Sequence, residues 1–205
     1  SGPDRLTTSS GVDSDIALSP DGGRLAFVTR IEASRLWSWP FDAKTGRVTG
    51  NEQAMTAAST SVSNFDLSVD GTRLAFLASR PGKQSEELWT RTLADGRDTL
   101  IGEAPGGYFS PRLSRDGTRV AYRRATQLRW IVIDGGEEQT LPEGTFDAWD
   151  WSPDGQSILL NCPPPEKTAA LCLSSRGASH AADVRRLVSD PAYNLWQGRF
   201  SPDGR

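Results

Sequence analysis

The sequence contains little of what marks several common classes of protein. Its 205 residues include one histidine and two cysteines, too few metal-ligand residues for a zinc site. No apolar run approaches the roughly 18 residues of a membrane-spanning helix. The net charge is −3, with acidic and basic residues interspersed, which argues against nucleic-acid binding. We therefore expect no cofactor, no metal ion, no nucleic acid and no membrane insertion within this piece.

The two ends look like those of a piece of a longer protein. The first residues, Ser1-Gly2-Pro3-Asp4, lack the basic and apolar regions of a signal peptide. We therefore expect any targeting segment to lie outside this sequence.

A four-residue turn recurs five times between apolar runs. The second residue of the turn forms its first corner, and a proline there sets the φ angle that this corner needs. The aspartate hydrogen-bonds the backbone two residues on, and the glycine accepts a positive φ. The copies are Ser19-Pro20-Asp21-Gly22, Ser68-Val69-Asp70-Gly71, Ser114-Arg115-Asp116-Gly117, Ser152-Pro153-Asp154-Gly155 and Ser201-Pro202-Asp203-Gly204. We interpret the five aspartates, Asp21, Asp70, Asp116, Asp154 and Asp203, as turn formers rather than as a repeated active-site residue.

The spacing of the turns predicts an all-β fold. Successive turn serines are 49, 46, 38 and 49 residues apart, which suits the four-stranded antiparallel blade of a β-propeller. The inner strand of each blade, strand A, precedes the turn; we predict it at Asp15–Leu18, Asn64–Leu67, Tyr108–Leu113, Asp147–Trp151 and Leu195–Phe200. Strand C of the first blade is predicted at Leu36–Trp39.

The count of strands predicts one domain, residues 1–205, that is a partial propeller. Four whole blades (10–58, 59–104, 105–143 and 144–190) lie between an outer strand without a blade (1–9) and the first strand of an incomplete blade (191–205). A complete five-unit protein with irregular ends is the alternative. A partial propeller exposes strand edges, which favours self-association through them.

The repeat resembles that of TolB-like propellers. The resemblance is carried by Ile16–Leu18, the first turn, Leu25–Val28 and the later pair Leu36-Trp37, and it recurs in the second and fourth units. It implies a non-catalytic scaffold that binds a protein partner, peptidoglycan-associated in the family's usual setting, in the periplasm or otherwise outside the cytoplasm. A WD-repeat alternative is disfavoured, because one histidine, His180, cannot supply a Gly-His pair to every blade.

Two other roles remain open. Similar propellers form the sensor portion of larger receptors or regulators, attached to kinase or DNA-binding domains, and others cap serine peptidases of the prolyl oligopeptidase type. The sequence has no G-x-S-x-G nucleophile motif, and His180 lies in a polar loop. We therefore expect no catalytic residue in this piece.

One position in the repeat carries alternating charge. Two residues before the turn serine the units have Ala17, Asp66, Arg112, Asp150 and Arg199. Strand alternation places this position opposite the apolar residue that follows it, so we expect a polar ring beside the central channel. We predict Asp66–Arg112 and Asp150–Arg199 pairs of bidentate geometry that tie neighbouring blades together. A ligand site in the channel is the alternative.

Carboxylate pairs and tryptophans give only weak indications of a functional site. Asp13/Asp15 and Asp147/Asp150 could contribute to a calcium site, but solvated or ion-paired carboxylates at strand ends explain them more simply. Most of the seven tryptophans fall in strands, and we expect core packing for them. We expect Trp39 and Trp196 to be exposed.

The two cysteines lie in one predicted hairpin. Cys162 and Cys172 are placed symmetrically about Lys167, so an antiparallel hairpin can set them opposite each other at a Cα separation that a disulfide allows. We predict a Cys162–Cys172 disulfide, which implies an oxidising compartment.

Overall fold

The computed structural model describes residues 12–30, 34–80, 85–104, 108–162 and 168–201. These residues form β-strands and one short 3₁₀ helix, Ala181–Asp183. The strands are β1 Val12–Leu18, β2 Leu25–Arg30, β3 Trp37–Ser38, β4 Phe41–Asp42, β5 Arg47–Val48, β6 Gln53–Ala54, β7 Ser61–Leu67, β8 Arg73–Ser79, β9 Glu86–Thr92, β10 Asp98–Ala104, β11 Tyr108–Leu113, β12 Arg119–Arg124, β13 Gln127–Val132, β14 Gln139–Thr140, β15 Phe146–Trp151, β16 Ser157–Cys162, β17 Ala170–Ser175 and β18 Val184–Val188. The prediction of an all-β chain is confirmed.

The chain divides into two compact units. One comprises Ser1–Val62 with Arg80–Lys83, and the other comprises Ser63–Ser79 with Gln84–Arg205. Within the described parts of the chain, no helix is long and apolar enough to cross a membrane.

Three four-stranded antiparallel sheets follow one another along the chain. Strands β7–β10, β11–β14 and β15–β18 each form one sheet in which sequence neighbours pair. The turn serine and aspartate sit between the first and second strand of each sheet, as the repeat predicts. These sheets confirm the four-stranded antiparallel blades expected after residue 59.

The first repeat differs from its prediction. Its described strands form three two-stranded sheets, β1–β2, β3–β6 and β4–β5, instead of one four-stranded blade. The predicted strand at Leu36–Trp39 is reduced to Trp37–Ser38. Pro40, which has no N–H to donate, interrupts it, and a separate hairpin pairs Phe41 with Val48.

The two ends of the chain do not show the strands that the repeat predicts there among the described residues. The repeat predicts an inner strand at residues 195–200, but these residues are not in a strand, because no following strand pairs with them among the described residues. Leu195 nevertheless donates its N–H to the carbonyl of Ala169 at 3.0 Å. The outer strand predicted within residues 1–9 lies outside the described residues.

The hydrophobic core lies between successive sheets of the second unit. One cluster joins the β7–β10 sheet to the β11–β14 sheet through Leu77, Leu88 and Val120, and a second joins the β11–β14 sheet to the β15–β18 sheet through Leu128 and Trp151. The β11–β14 sheet therefore packs against a neighbouring sheet on each of its two faces. The packing holds the inner strands β11 and β15 side by side and so positions the charged residues that they carry.

Candidate functional site

The repeated turn has the same hydrogen bonds in all four described copies. The serine Oγ donates to the aspartate Oδ1 at 2.5–2.6 Å. That Oδ1 also accepts the backbone N–H two residues on at 3.0–3.1 Å. The serine Oγ accepts the N–H five residues on at 2.9–3.0 Å. The four aspartates thus close the turns between the first two strands, while Asp203 lies outside the described residues.

These bonds also fix the ionisation of the turn aspartates. The hydrogen bonds from the Ser19 hydroxyl and from the backbone N–H of Gly23 lower the pKa of Asp21, and equivalent bonds lower those of Asp70 and Asp154. At Asp116 burial acts to raise the pKa, but the hydrogen bonds from Ser114 and Thr118 outweigh it and hold the pKa at about 2. A carboxyl group of this kind has no proton to donate at neutral pH, which suits a structural role.

The two aspartates of the predicted ring share one arrangement. Asp66 accepts the backbone N–H of Leu113 on its Oδ2 at 2.7 Å, and Asp150 accepts the N–H of Phe200 on its Oδ2 at 2.9 Å. Leu113 and Phe200 each precede the turn serine of the next repeat. Because β11 lies at the edge of its sheet, the N–H groups on its free side have no partner within the sheet. The Asp66 carboxylate is the acceptor for one of these groups, the N–H of Leu113.

The two arginines of the ring converge on one carbonyl. Arg112 donates from Nε and Arg199 from a terminal nitrogen to the Trp149 oxygen, both at 3.0 Å. Arg112 also donates to the Pro111 carbonyl at 3.1 Å. Arg199 lies 3.8 Å from Asp150. The structure therefore brings the four residues together, but backbone groups take the place of the bidentate carboxylate contacts that we expected.

Burial shapes the electrostatics of this ring. Desolvation raises the pKa of Asp66, against the opposing effects of the Leu113 N–H and of the Arg112 charge. Desolvation likewise lowers the pKa of Arg112, while Asp66 acts to raise it. The two charges stabilise each other in a partly buried setting without forming the hydrogen-bonded pair that their sequence positions suggested.

Several contacts between sheets escaped sequence reasoning. Trp151 donates its Nε1–H to the Arg112 carbonyl at 3.0 Å, and Arg73 pairs with Asp134 at 2.5 Å. These contacts join residues 39 and 61 positions apart, and no local pattern signals them.

Three of the four carboxylates considered for a calcium site have other partners in the structure. Asp147 lies 3.2 Å from Arg123 across the sheet boundary, so it is ion-paired. Asp150 belongs to the ring, and Asp15 accepts a hydrogen bond from Ser14 at 3.1 Å. These contacts fit the simpler interpretation of the three residues.

The tryptophans divide between core and surface. Trp151 is fully buried and Trp149 is 8% exposed, whereas Trp39 and Trp196 are 47% and 50% exposed, as predicted. Trp37, expected in the core, is 39% exposed, which follows from the missing four-stranded packing of the first repeat.

A group of exposed residues follows β18. The Trp196 ring packs edge-on against Trp149 and Phe146, with ring centroids 6.2 and 6.4 Å apart. Tyr193 is 71% exposed, and the Arg199 side chain is 55% exposed. Tyr193, Trp196 and Arg199 lie within seven consecutive residues of the chain, and we call these three exposed residues the aromatic patch. Residues of these three types are enriched where proteins bind proteins.

The two cysteines form a disulfide in the structure, with Cα atoms 5.9 Å apart. Their register differs by two residues from the predicted one: Cys162 pairs with Ala170, and Cys172 pairs with Leu160. The cysteines are therefore diagonal neighbours rather than direct partners. Both still lie on one face of the hairpin because side chains two residues apart share a face.

His180 lies beside the short 3₁₀ helix. Its backbone N–H donates to Asp183 at 3.1 Å, and the residue is exposed. This position fits the solvated loop histidine that the sequence indicated.

The described sheets and their repeated inner-strand turn define a β-propeller, seen in part. More specifically, solved structures show that the chain has the fold of TolB-like propellers. A putative TolB from Agrobacterium tumefaciens superposes with a TM-score of 0.65 at 20% identity over 96% of this chain and 68% of that one. TolB from Acinetobacter baumannii gives 0.58 at 18% identity over 95% of this chain and 47% of that one.

A prolyl endopeptidase structure is also similar. It gives a TM-score of 0.51 at 18% identity over 69% of this chain and 25% of that one. This chain thus spans about half of the Acinetobacter TolB and a quarter of the endopeptidase. No protein-family model and no curated protein matches the sequence.

Proposed function

We propose that this chain is a non-catalytic scaffold that binds a protein partner through the aromatic patch and that it acts outside the cytoplasm. The observation that carries the proposal is the patch itself. Tyr193, Trp196 and Arg199 combine large exposed rings with a cation, and such residues supply most of the energy in many protein interfaces.

The charged ring supports a scaffold rather than an enzyme. The carboxylates of Asp66 and Asp150 accept backbone N–H groups, and the guanidinium groups of Arg112 and Arg199 bond the Trp149 carbonyl. Groups held in this way stiffen neighbouring inner strands. A stiff base is what a binding surface needs, since less side-chain and loop motion is then lost when a partner binds.

The disulfide supports the location. Disulfides form and persist mainly in oxidising compartments such as the periplasm and the extracellular space. The TolB-like fold agrees with this location. Secretion and fractionation of the native protein, with its thiols counted at once by mass spectrometry, test it; a cytoplasmic protein with two free thiols would contradict it.

The binding proposal is tested by photo-cross-linking in the native host. A benzoylphenylalanine at Tyr193 is expected to give a discrete adduct with a second protein, because the position is exposed and aromatic. The matched control is Val69, which is 73% exposed but lies on a repeated turn. Equal adducts at both positions, or none at Tyr193, would contradict the proposal.

A second candidate function is the propeller cap of a prolyl oligopeptidase-like peptidase. The observation that favours it is the structural similarity to a prolyl endopeptidase over 69% of this chain. The two functions differ in what flanks the chain. A hydrolase domain with a G-x-S-x-G motif in the same gene product would favour the peptidase.

A further inference from the structure

A cleft opens beside the disulfide of the β15–β18 sheet. Its volume is about 150 Å³, and both disulfide cysteines, Cys162 and Cys172, line it. Val184 and Arg186 of β18 form one side, and Glu143 lies on another. The disulfide is therefore next to a space that a small molecule can enter.

The two sulfur-bearing residues are not equally accessible. Cys162 is 6% exposed, whereas Cys172 is fully buried. A nucleophile that enters the cleft thus reaches Cys162 more easily than Cys172. Attack on the Cys162 sulfur expels the Cys172 sulfur as a thiolate.

A basic residue stands across the strand from Cys172. Arg186 is the cross-strand partner of Cys172 in the β17–β18 ladder and lines the same cleft. A neighbouring arginine lowers the pKa of a cysteine thiol, and a thiol of lower pKa leaves faster in thiol–disulfide exchange. Accessibility and charge therefore favour the same direction of attack.

We propose that this disulfide is a site of reversible S-thiolation, at which a small thiol forms a mixed disulfide with Cys162. The thiolate of the small molecule attacks the Cys162 sulfur, the Cys162–Cys172 bond breaks, and Cys172 leaves as a thiolate beside Arg186. Return attack by Cys172 restores the disulfide and releases the small thiol. A second small thiol instead releases Cys162 and forms the symmetric disulfide of the small molecule.

The cleft also indicates the chemistry of the thiol. Arg186 and Glu143 place a positive and a negative charge on the lining of the cleft. A thiol with a carboxylate at one end and an ammonium group at the other matches both charges. Cysteine and glutathione have these groups, and both are suitable probes.

The experiment uses the native oxidised chain. It is incubated with glutathione and quenched with iodoacetamide, which alkylates the released thiol and blocks the return reaction. Peptide mapping is expected to find glutathione on Cys162 and the alkyl group on Cys172. Glutathione mainly on Cys172, no mixed disulfide in the folded chain, or two free thiols before treatment would overturn the proposal.

Adjacent arginines on β18 provide a matched pair of variants. Arg186 pairs with Cys172, and Arg185 pairs with Leu173; both are exposed. Arg186→Gln is expected to slow formation of the mixed disulfide by about two- to threefold, because Cys172 leaves more slowly when no cation stabilises its thiolate. Arg185→Gln is expected to leave the rate within error of the unsubstituted chain. Equal rates in the two variants would overturn the role of Arg186, and the mapping of Cys162 tests the site of attack even if a variant fails to fold.

Discussion

Replacing Asp66 with alanine tests whether the ring of charges holds the inner strands together. The substitution removes the acceptor of the Leu113 N–H, a bond of 2.7 Å to an edge strand that offers no replacement partner in its sheet. Hydrogen bonds to charged groups contribute about 1.5–3 kcal/mol, and an unsatisfied buried donor costs about 1–3 kcal/mol. The substitution also removes the free-energy cost of burying the Asp66 carboxylate away from water, which offsets part of this loss. We expect the free energy of unfolding to fall by about 1–3 kcal/mol.

Urea unfolding, followed by tryptophan fluorescence, measures the effect, and thermal unfolding gives a parallel measure of about 2–4 °C for each kcal/mol. Asp66→Asn keeps an acceptor oxygen and is expected to cost less than Asp66→Ala. Glu137→Ala removes an exposed carboxylate and is expected to change the free energy by about 0.5 kcal/mol or less. If Asp66→Ala is no worse than Glu137→Ala, the carboxylate does not hold the strand, and the reasoning is refuted.

Two further predictions concern the turns and the core. The folded-state pKa of Asp116 is about 2, below its ordinary 3.8. The contribution of Asp116 to stability is therefore present above about pH 4 and is lost as the pH falls toward 2. Asp116→Asn is expected to remove that part of the acid dependence, as measured by urea unfolding between pH 2 and 6. A methyl group on Gly198 would lie 2.7 Å from a methyl carbon of Leu159, so Gly198→Ala is expected to destabilise the chain by about 1–3 kcal/mol. Gly177→Ala, where the nearest atom is 4.0 Å away, is the control, and an equal loss in both variants would contradict the packing argument.

The turns could be predicted from the sequence because their interactions are local. In the copy at Ser114, every hydrogen bond of the motif joins atoms within six consecutive residues. The residue types in such a short segment therefore determine the geometry. The strands on either side followed from the apolar runs that flank each turn.

The partners of the ring could not be predicted because they depend on how the sheets pack. The alternation of Asp66, Arg112, Asp150 and Arg199 identified the right position in the repeat. It could not show that Asp66 meets a backbone N–H, since that depends on the distance between two sheets to fractions of an ångström. From residue types alone, an arginine is the expected partner of Asp66. In the folded chain the unpaired edge of β11 offers a backbone N–H to Asp66 instead.

The inner strands contain a further irregularity that residue types conceal. Four residues before the turn serine, Asp15, Ser110 and Gln197 have φ values of 53°, 37° and 60°, although none is glycine. At the first two, the pairing with the next strand shifts by one residue, which is the mark of a β-bulge. A bulge bends its strand locally, and the bulge at Ser110 lies just before Arg112, which bonds the Trp149 carbonyl of the neighbouring strand. Non-glycine residues rarely adopt these φ values, so packing, rather than the local preference of the residue, imposes them in these three copies. The equivalent residues of the second and fourth copies, Asn64 and Ala148, do not have a positive φ, so this irregularity separates three copies of the repeat from the two that carry Asp66 and Asp150.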